Sequence, residues 1–179
     1  MFKKFNIQKY LDKKPPSDNS FTTMQEIKEL NKIPINVKFV KDKDDINASF
    51  KKLIDDKKLD VPKNMIDNLI EKSAPIIMKI KVLAKKMNIK FDDKELDSMK
   101  TPSYPSGHSA QGIMIAEILS DMHPKHAKAF KKIGKDISYS RNVAHAHYKS
   151  DSKFGKQLGK DMYKHLKSKK NENLKLYIY

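Results

Sequence analysis

The chain has 179 residues, enough for one domain of ordinary size, and carries 38 lysines and arginines against 22 acids, a net charge of +16. That excess favours anionic partners: phosphate esters, nucleic acid or acidic membrane surfaces. The absence of cysteine excludes a disulfide framework, a thiol nucleophile and cysteine-bound zinc, and no apolar run approaches the ~18–20 residues that cross a bilayer.

Thirty-eight per cent of the residues are hydrophobic, and their periodic placement argues against global disorder. No internal repeat is present. Residues 1–20 close with Lys13-Lys14-Pro15-Pro16-Ser17-Asp18-Asn19-Ser20, a polar, turn-prone stretch that reads as an extended N-terminal arm. The opening residues, Met1 to Tyr10, are positively charged with no apolar core behind them. They lack the pattern of a secretory signal, and an intracellular, soluble protein is the expectation. A first helix is expected from about Thr22 to Leu30, stopped before Pro34. Residues 41–60 are charge-dense, with Asn47 as candidate cap of a short helix carrying Phe50, Leu53, Ile54 and Leu59. This front third reads as a cover for the core.

From Val61 the pattern sharpens. Pro62 suits a first helical turn, and Met65, Ile66, Leu69 and Ile70 recur at helical spacing. Pro75 is expected to kink or split this helix, with a second apolar stretch through Ile76, Ile77, Ile80, Leu83, Ala84 and Met87. Phe91 to Pro105 reads as a loop. Ser109 to Met122 is apolar on most sides, as befits the middle helix of a bundle. Pro124 opens a further helix with the stripe Ala127, Phe130, Ile133, Ile137, Arg141 and Ala144. A last helix spaces Phe154, Leu158, Met162 and Leu166 four apart among lysines. No segment alternates with period two. The expected fold is all-α, a single-domain helical bundle over residues 21–168 with a polar tail at 169–179.

Two places break this pattern. Pro105-Ser106-Gly107-His108 sits where a loop enters the most apolar helix. A glycine there lets an anion approach backbone N–H groups, and the helix dipole favours negative charge. Ser106 adds a hydroxyl and His108 a group that gives or takes a proton near neutral pH. A plain capping turn with an incidental histidine fits the same four residues equally well. The second place runs from Ser140 to Asp151. Arg141 falls on an apolar stripe, where it either snorkels at the edge or meets an anion. His147 falls just past the helix end, and Asp151, where the last helix begins, is placed to accept a hydrogen bond from it. A carboxylate holding one imidazole nitrogen leaves the other free as a nucleophile.

Together, Pro105-Ser106-Gly107-His108 and Ser140-Arg141, five residues, His147, three residues, Asp151 resemble the second and third signatures of the type 2 phosphatidic acid phosphatase (PAP2) superfamily. The stretch Thr101 to Ser109 is most similar to the soluble class A bacterial acid phosphatase branch, whose site architecture vanadium haloperoxidases share. The resemblance covers about residues 62–168. The first signature, lysine, six residues, arginine-proline, is not matched. Its best placement is Lys72, six residues, Lys79-Ile80, where lysine keeps the charge but loses the planar two-pronged donor.

The resemblance implies a PAP2-type helical bundle and a metal-independent phosphatase. His147 would attack phosphorus, Asp151 would orient it, and His108 would protonate the leaving oxygen and then activate water. Lys72, Lys79, Ser106, Gly107 and Arg141 would cradle the phosphate oxygens. No metal or cofactor enters this scheme; the implied partners are a phosphate ester and, as inhibitors, phosphate or vanadate. Weak association with anionic surfaces is a further expectation from the charge. The competing function is a catalytically weakened PAP2-fold protein that binds nucleotides, nucleic acid or acidic lipid. Vanadate-dependent halide oxidation in the same pocket is a third reading, disfavoured by the small size. A zinc site on His145, His147 and Asp151 lacks a standard spacing and would set Arg141 beside a cation. A Ser106 nucleophile would need a strand-to-helix elbow, and no strand is expected. His145 reads as a packing residue, although lining the pocket is the other option. His123, His126 and His165 read as solvated.

Overall fold

The computed structural model describes residues 1–84 and 101–168. Met87, most of the loop expected from Phe91 and the tail at 169–179 lie outside the described residues. Among the described residues the regular elements are helical: α1 (Gln8–Leu11), α2 (Phe21–Leu30), α3 (Val37–Asp44), α4 (Ile46–Asp56), α5 (Met65–Ala84), α6 (Gly107–Met122), α7 (Ala127–Val143) and α8 (Lys149–Ser168). A short 3-10 turn, Pro124–His126, precedes α7. The all-α expectation is met.

Apolar residues surround α6, so α6 is the element that others cover. Ala110, Met114, Ile115, Ala116 and Leu119 are all buried, and α7 and α8 pack chiefly on this helix. Small residues set how closely. A Cβ on Gly134 of α7 would stand 2.7 Å from the Gly112 carbonyl oxygen of α6. On α8, a Cβ at Gly155 would meet the Ser106 carbonyl oxygen at 2.4 Å, and one at Gly159 the Ala110 carbonyl oxygen at 2.2 Å. Backbone therefore lies directly on backbone, and the start of α8 is held against the start of α6. A hydrogen bond from the Ser106 amide to the Asp151 carbonyl (3.1 Å) ties the two helix starts.

Several local signals act as read and others do not. Side-chain caps begin α2 (Ser20), α3 (Asn36), α4 (Asp45) and α6 (Ser106). The α4 cap is Asp45 rather than Asn47, and α3, in the charge-dense stretch, is an element the sequence pattern does not announce. Pro75 neither splits nor ends α5, which runs through it for 20 residues. A proline removes one backbone bond; here packing against α6 holds the helix, with Gln111 donating to the Ile70 carbonyl and to Ser73 Oγ (both 3.1 Å).

The first 20 residues are tied to the bundle. Phe2 and Tyr10 are buried, Lys9 and Tyr10 both donate to Asp161 of α8, and Tyr104 donates to the Lys13 carbonyl at 3.0 Å. His165 stacks on Phe2 and meets Phe5 edge-on, which corrects its reading as a solvated residue: the arm folds back over it. His123, also expected in solvent, is half-buried with Nε2 3.0 Å from the Asp60 carbonyl.

Candidate active site

The close helix contacts bring the C-terminus of α7 and the N-termini of α6 and α8 to one place. Arg141 lies in the last turn of α7, on its buried stripe, and only 1% of its side chain is exposed. After Val143 the chain turns tightly, with the Ala146 amide bonded to the Arg141 carbonyl (2.9 Å) and His145 in the left-handed region at φ 50°. The turn sends His147 back toward α6. Asn142 Nδ2 donates to the His147 carbonyl (2.9 Å), and Ser152 Oγ donates to Asn142 Oδ1 (3.2 Å), which locks the loop from behind. His145 packs, as expected, with Nε2 2.8 Å from the Ile33 carbonyl.

His147 and Asp151 are both buried and adjacent. His147 Nδ1 lies 3.9 Å from Asp151 Oδ2, outside hydrogen-bond reach, and has no hydrogen-bond partner. The same Oδ2 accepts from the Tyr148 amide at 3.0 Å, so Asp151 caps the helix start while facing the imidazole. Burial first, then the charges of Lys81, Arg141 and His108, push His147 well below the ordinary imidazole range, while the Ser103 backbone opposes the shift. These influences favour the neutral imidazole, and its unpartnered buried nitrogen is Nδ1, on the Asp151 side.

Ser106, Gly107 and His108 form the mouth of α6. Ser106 caps it, accepting from the Ser109 amide at 3.3 Å, which is the capping role the four-residue motif also allowed. Gly107 opens the first turn, whose amides have no intrahelical acceptor. The half-exposed His108 follows, with Nε2 3.0 Å from the Asp44 carbonyl and 3.5 Å from Asp44 Oδ1.

The expected lysine pair is exposed. Lys72 and Lys79 lie on the outer, exposed face of α5, with Lys72 paired to Glu71 at 2.9 Å. Seven residues along a helix return nearly to the same face, and here that face looks to solvent. The lysine that reaches the site is Lys81, 4% exposed, which donates to the Pro102 carbonyl. Burial lowers it from its ordinary 10.5 to about 8; Arg141 pushes the same way and Asp151 resists. Its signal was available, since Lys81 follows Ile77 by four on the buried face of α5, as Arg141 follows Ile137 on α7. Asp44, at the end of α3, is the other residue the sequence did not point to. Its Oδ1 lies 2.6 Å from an Arg141 terminal nitrogen.

Arg141 is likewise lowered by burial, against the pull of Asp44. The site thus holds two buried cations, a neutral imidazole, a second histidine and a helix N-terminus. Among the described residues no cluster of three or more His, Asp or Glu side chains is arranged to hold a metal ion, and no helix is long and apolar enough to cross a membrane. No family model matches the chain. Over 60 residues it is 38% identical to a non-specific acid phosphatase of Salmonella typhimurium and 37% identical to one of Salmonella typhi. Each match covers 34% of this chain and 24% of the relative, so the chain spans about a quarter of the length of the curated relatives it matches.

Proposed function

We propose that this protein is a phosphatase of the PAP2 type, hydrolysing phosphate monoesters or diphosphates through a phosphohistidine on His147. The observation that supports this most is the burial of Arg141 and Lys81 beside a neutral imidazole at a helix N-terminus. Burying a cation costs several kcal/mol unless an anion completes the arrangement. Two such cations, with free amides at the start of α6, describe a niche for an oxyanion of high charge.

In the proposed cycle, a His147 nitrogen attacks phosphorus as the ester P–O bond breaks, and His108 gives its proton to the leaving oxygen. Water then attacks phosphorus, its proton passes to His108, and the P–N bond breaks to release phosphate. Asp151 faces the His147 imidazole from behind and stabilises the cation formed during attack. Arg141, Lys81 and the Ser106-Gly107 turn hold the equatorial oxygens, since phosphoryl transfer asks mainly for positioning and charge stabilisation. No step of this cycle is routed through a metal.

The experiment is hydrolysis of p-nitrophenyl phosphate with and without chelator and vanadate, alongside acid quenching to trap a labelled intermediate. Turnover that is insensitive to chelator, inhibited by vanadate and lost in His147→Ala, with acid-labile label on the wild type alone, is expected. Full turnover in His147→Ala would remove the mechanism.

A further inference from the structure

Asp44 belongs to none of the sequence signatures, yet its carboxylate lies on the groups proposed to bind phosphate. Oδ1 is 2.6 Å from Arg141, the spacing that a bound phosphate oxygen would have, and 3.5 Å from His108 Nε2, whose closer contact is the Asp44 carbonyl at 3.0 Å. Arg141 is 1% exposed and Asp44 30%, so the carboxylate reaches a buried guanidinium from the solvent side. Asp44 is also the last residue of α3, and Asp45 behind it is extended and caps α4. The side chain therefore sits at a joint between helices.

The segment that delivers Asp44 is fastened largely by polar contacts around the same site. Glu26 of α2 accepts from the Ser150 amide (2.6 Å) and hydroxyl (2.8 Å) at the start of α8. Glu29 pairs with Lys149 at 2.9 Å, and the Ile33 carbonyl meets His145. On α3, Val40 is buried and Phe39 meets Tyr139 of α7. With α3 held by those anchors, rotation of the Asp44 side chain would release Arg141 from the carboxylate, while the Asp44 carbonyl stays 3.0 Å from His108 Nε2.

We infer that Asp44 is an internal substitute for the substrate's phosphoryl group: its carboxylate occupies the oxyanion position on Arg141, beside His108, and must be displaced for an oxyanion to bind there. The inference rests on the proposed phosphatase reading, whose niche it fills. Asp44 keeps the buried guanidinium paired in the unliganded protein and thereby lowers the affinity for small oxyanions. His108 and Arg141 hold Asp44 well below the usual carboxylate range, so it stays an anion in mild acid.

The test is calorimetric titration of inorganic phosphate and of vanadate into wild type and Asp44→Asn, together with p-nitrophenyl phosphate kinetics. Asp44→Asn is expected to bind both anions about tenfold tighter, about 1.4 kcal/mol, and to raise kcat/KM through a lower KM. Unchanged or weaker phosphate binding in that variant would overturn the inference, because Asp44 would then be a strut. Binding is read without turnover, which separates the two claims. Tighter phosphate binding in a protein with no hydrolysis keeps the inference and removes the phosphatase; hydrolysis lost in His147→Ala with no tightening in Asp44→Asn does the reverse. Should Asp44→Asn fail to fold, carboxyl-carbon NMR of the wild type decides. The Asp44 signal is expected to move as inorganic phosphate saturates, and a signal fixed at saturating phosphate would overturn the inference.

Discussion

Replacing Lys81 with methionine sets the cost of the site against its use. Methionine matches the stem of lysine and places no charge between Asp151 and Arg141. The drop from 10.5 to about 8 means that the folded protein holds this proton less tightly than the unfolded chain does. At ~1.36 kcal/mol per pH unit, the charged ammonium costs about 3 kcal/mol of stability at pH 7. The lost hydrogen bond to the Pro102 carbonyl returns about 1 kcal/mol, so Lys81→Met is expected to be about 2 kcal/mol more stable at pH 7. The sign reverses with pH. Between about pH 8 and 10.5 the unfolded chain keeps the Lys81 proton and the native state has released it, so wild-type stability rises relative to the variant. Urea denaturation of both proteins at half-unit steps from pH 7 to 10.5 reads this difference, and the variant's advantage should vanish across the range. A flat difference curve would show that Lys81 titrates like a solvated lysine and would refute its burial at the site. The same variant should lose about 10²–10³ in kcat, the usual effect of removing one charge-stabilising donor.

Three other outcomes follow. Lys72→Ala and Lys79→Ala, singly or together, should leave p-nitrophenyl phosphate hydrolysis within about twofold, since both side chains face solvent; a large loss would restore them to the site. Because His147 is pushed below the ordinary imidazole range, the acid limb of kcat/KM should fall below about pH 6.5, with the free enzyme reporting the group. Stability carries the same sign. The unfolded chain protonates His147 near its ordinary value of about 6.5 and the native state does not, so stability falls as pH drops through that value; urea midpoints of wild type and His147→Phe between pH 7 and 5 should diverge accordingly. Gly155→Ala should destabilise by about 1–3 kcal/mol, because its Cβ would stand 2.4 Å from the Ser106 carbonyl oxygen and must push α8 off α6. Its loss of kcat should exceed that of Ala129→Gly, a substitution on the outer lysine-lined groove of α7, at matched stability.

The placement of Arg141, His147 and Asp151 is legible because its signals are local (an arginine on an apolar stripe, a histidine after a helix end and an acid in the next first turn), but the expected His147–Asp151 hydrogen bond is not made at 3.9 Å. Lys81 carries the Arg141 signal on α5, whereas Lys72 and Lys79, seven apart, share the exposed face of that helix. Asp44 is harder to see. Its partner Arg141 is 97 residues away, and α3 carries alternating charges with a single buried side chain, Val40, so neither periodicity nor composition marks it. His165 is hard to see for the same reason, since the rings that cover it come from the first five residues. Pro75 marks the opposite case: of the kink or split that its local signal allows, the split does not occur, and α5 continues through it.

The contacts that build the fold are those that aim the site. Asp151 accepts the Ser106 amide on its carbonyl and the Tyr148 amide on its carboxylate, so one residue joins α6 to α8 and fixes the loop that presents His147. Gly155 and Gly159 then let α8 lie on the α6 backbone, which sets His108 and the free amides of α6 opposite that loop. The two buried cations meet carboxylates from different parts of the chain. Asp151 serves Lys81 in part, and Arg141 takes its carboxylate from Asp44 on the N-terminal segment. The N-terminal helices therefore do more than cover the core: they bring a carboxylate to Arg141, and an oxyanion that binds this guanidinium must compete with Asp44 for it.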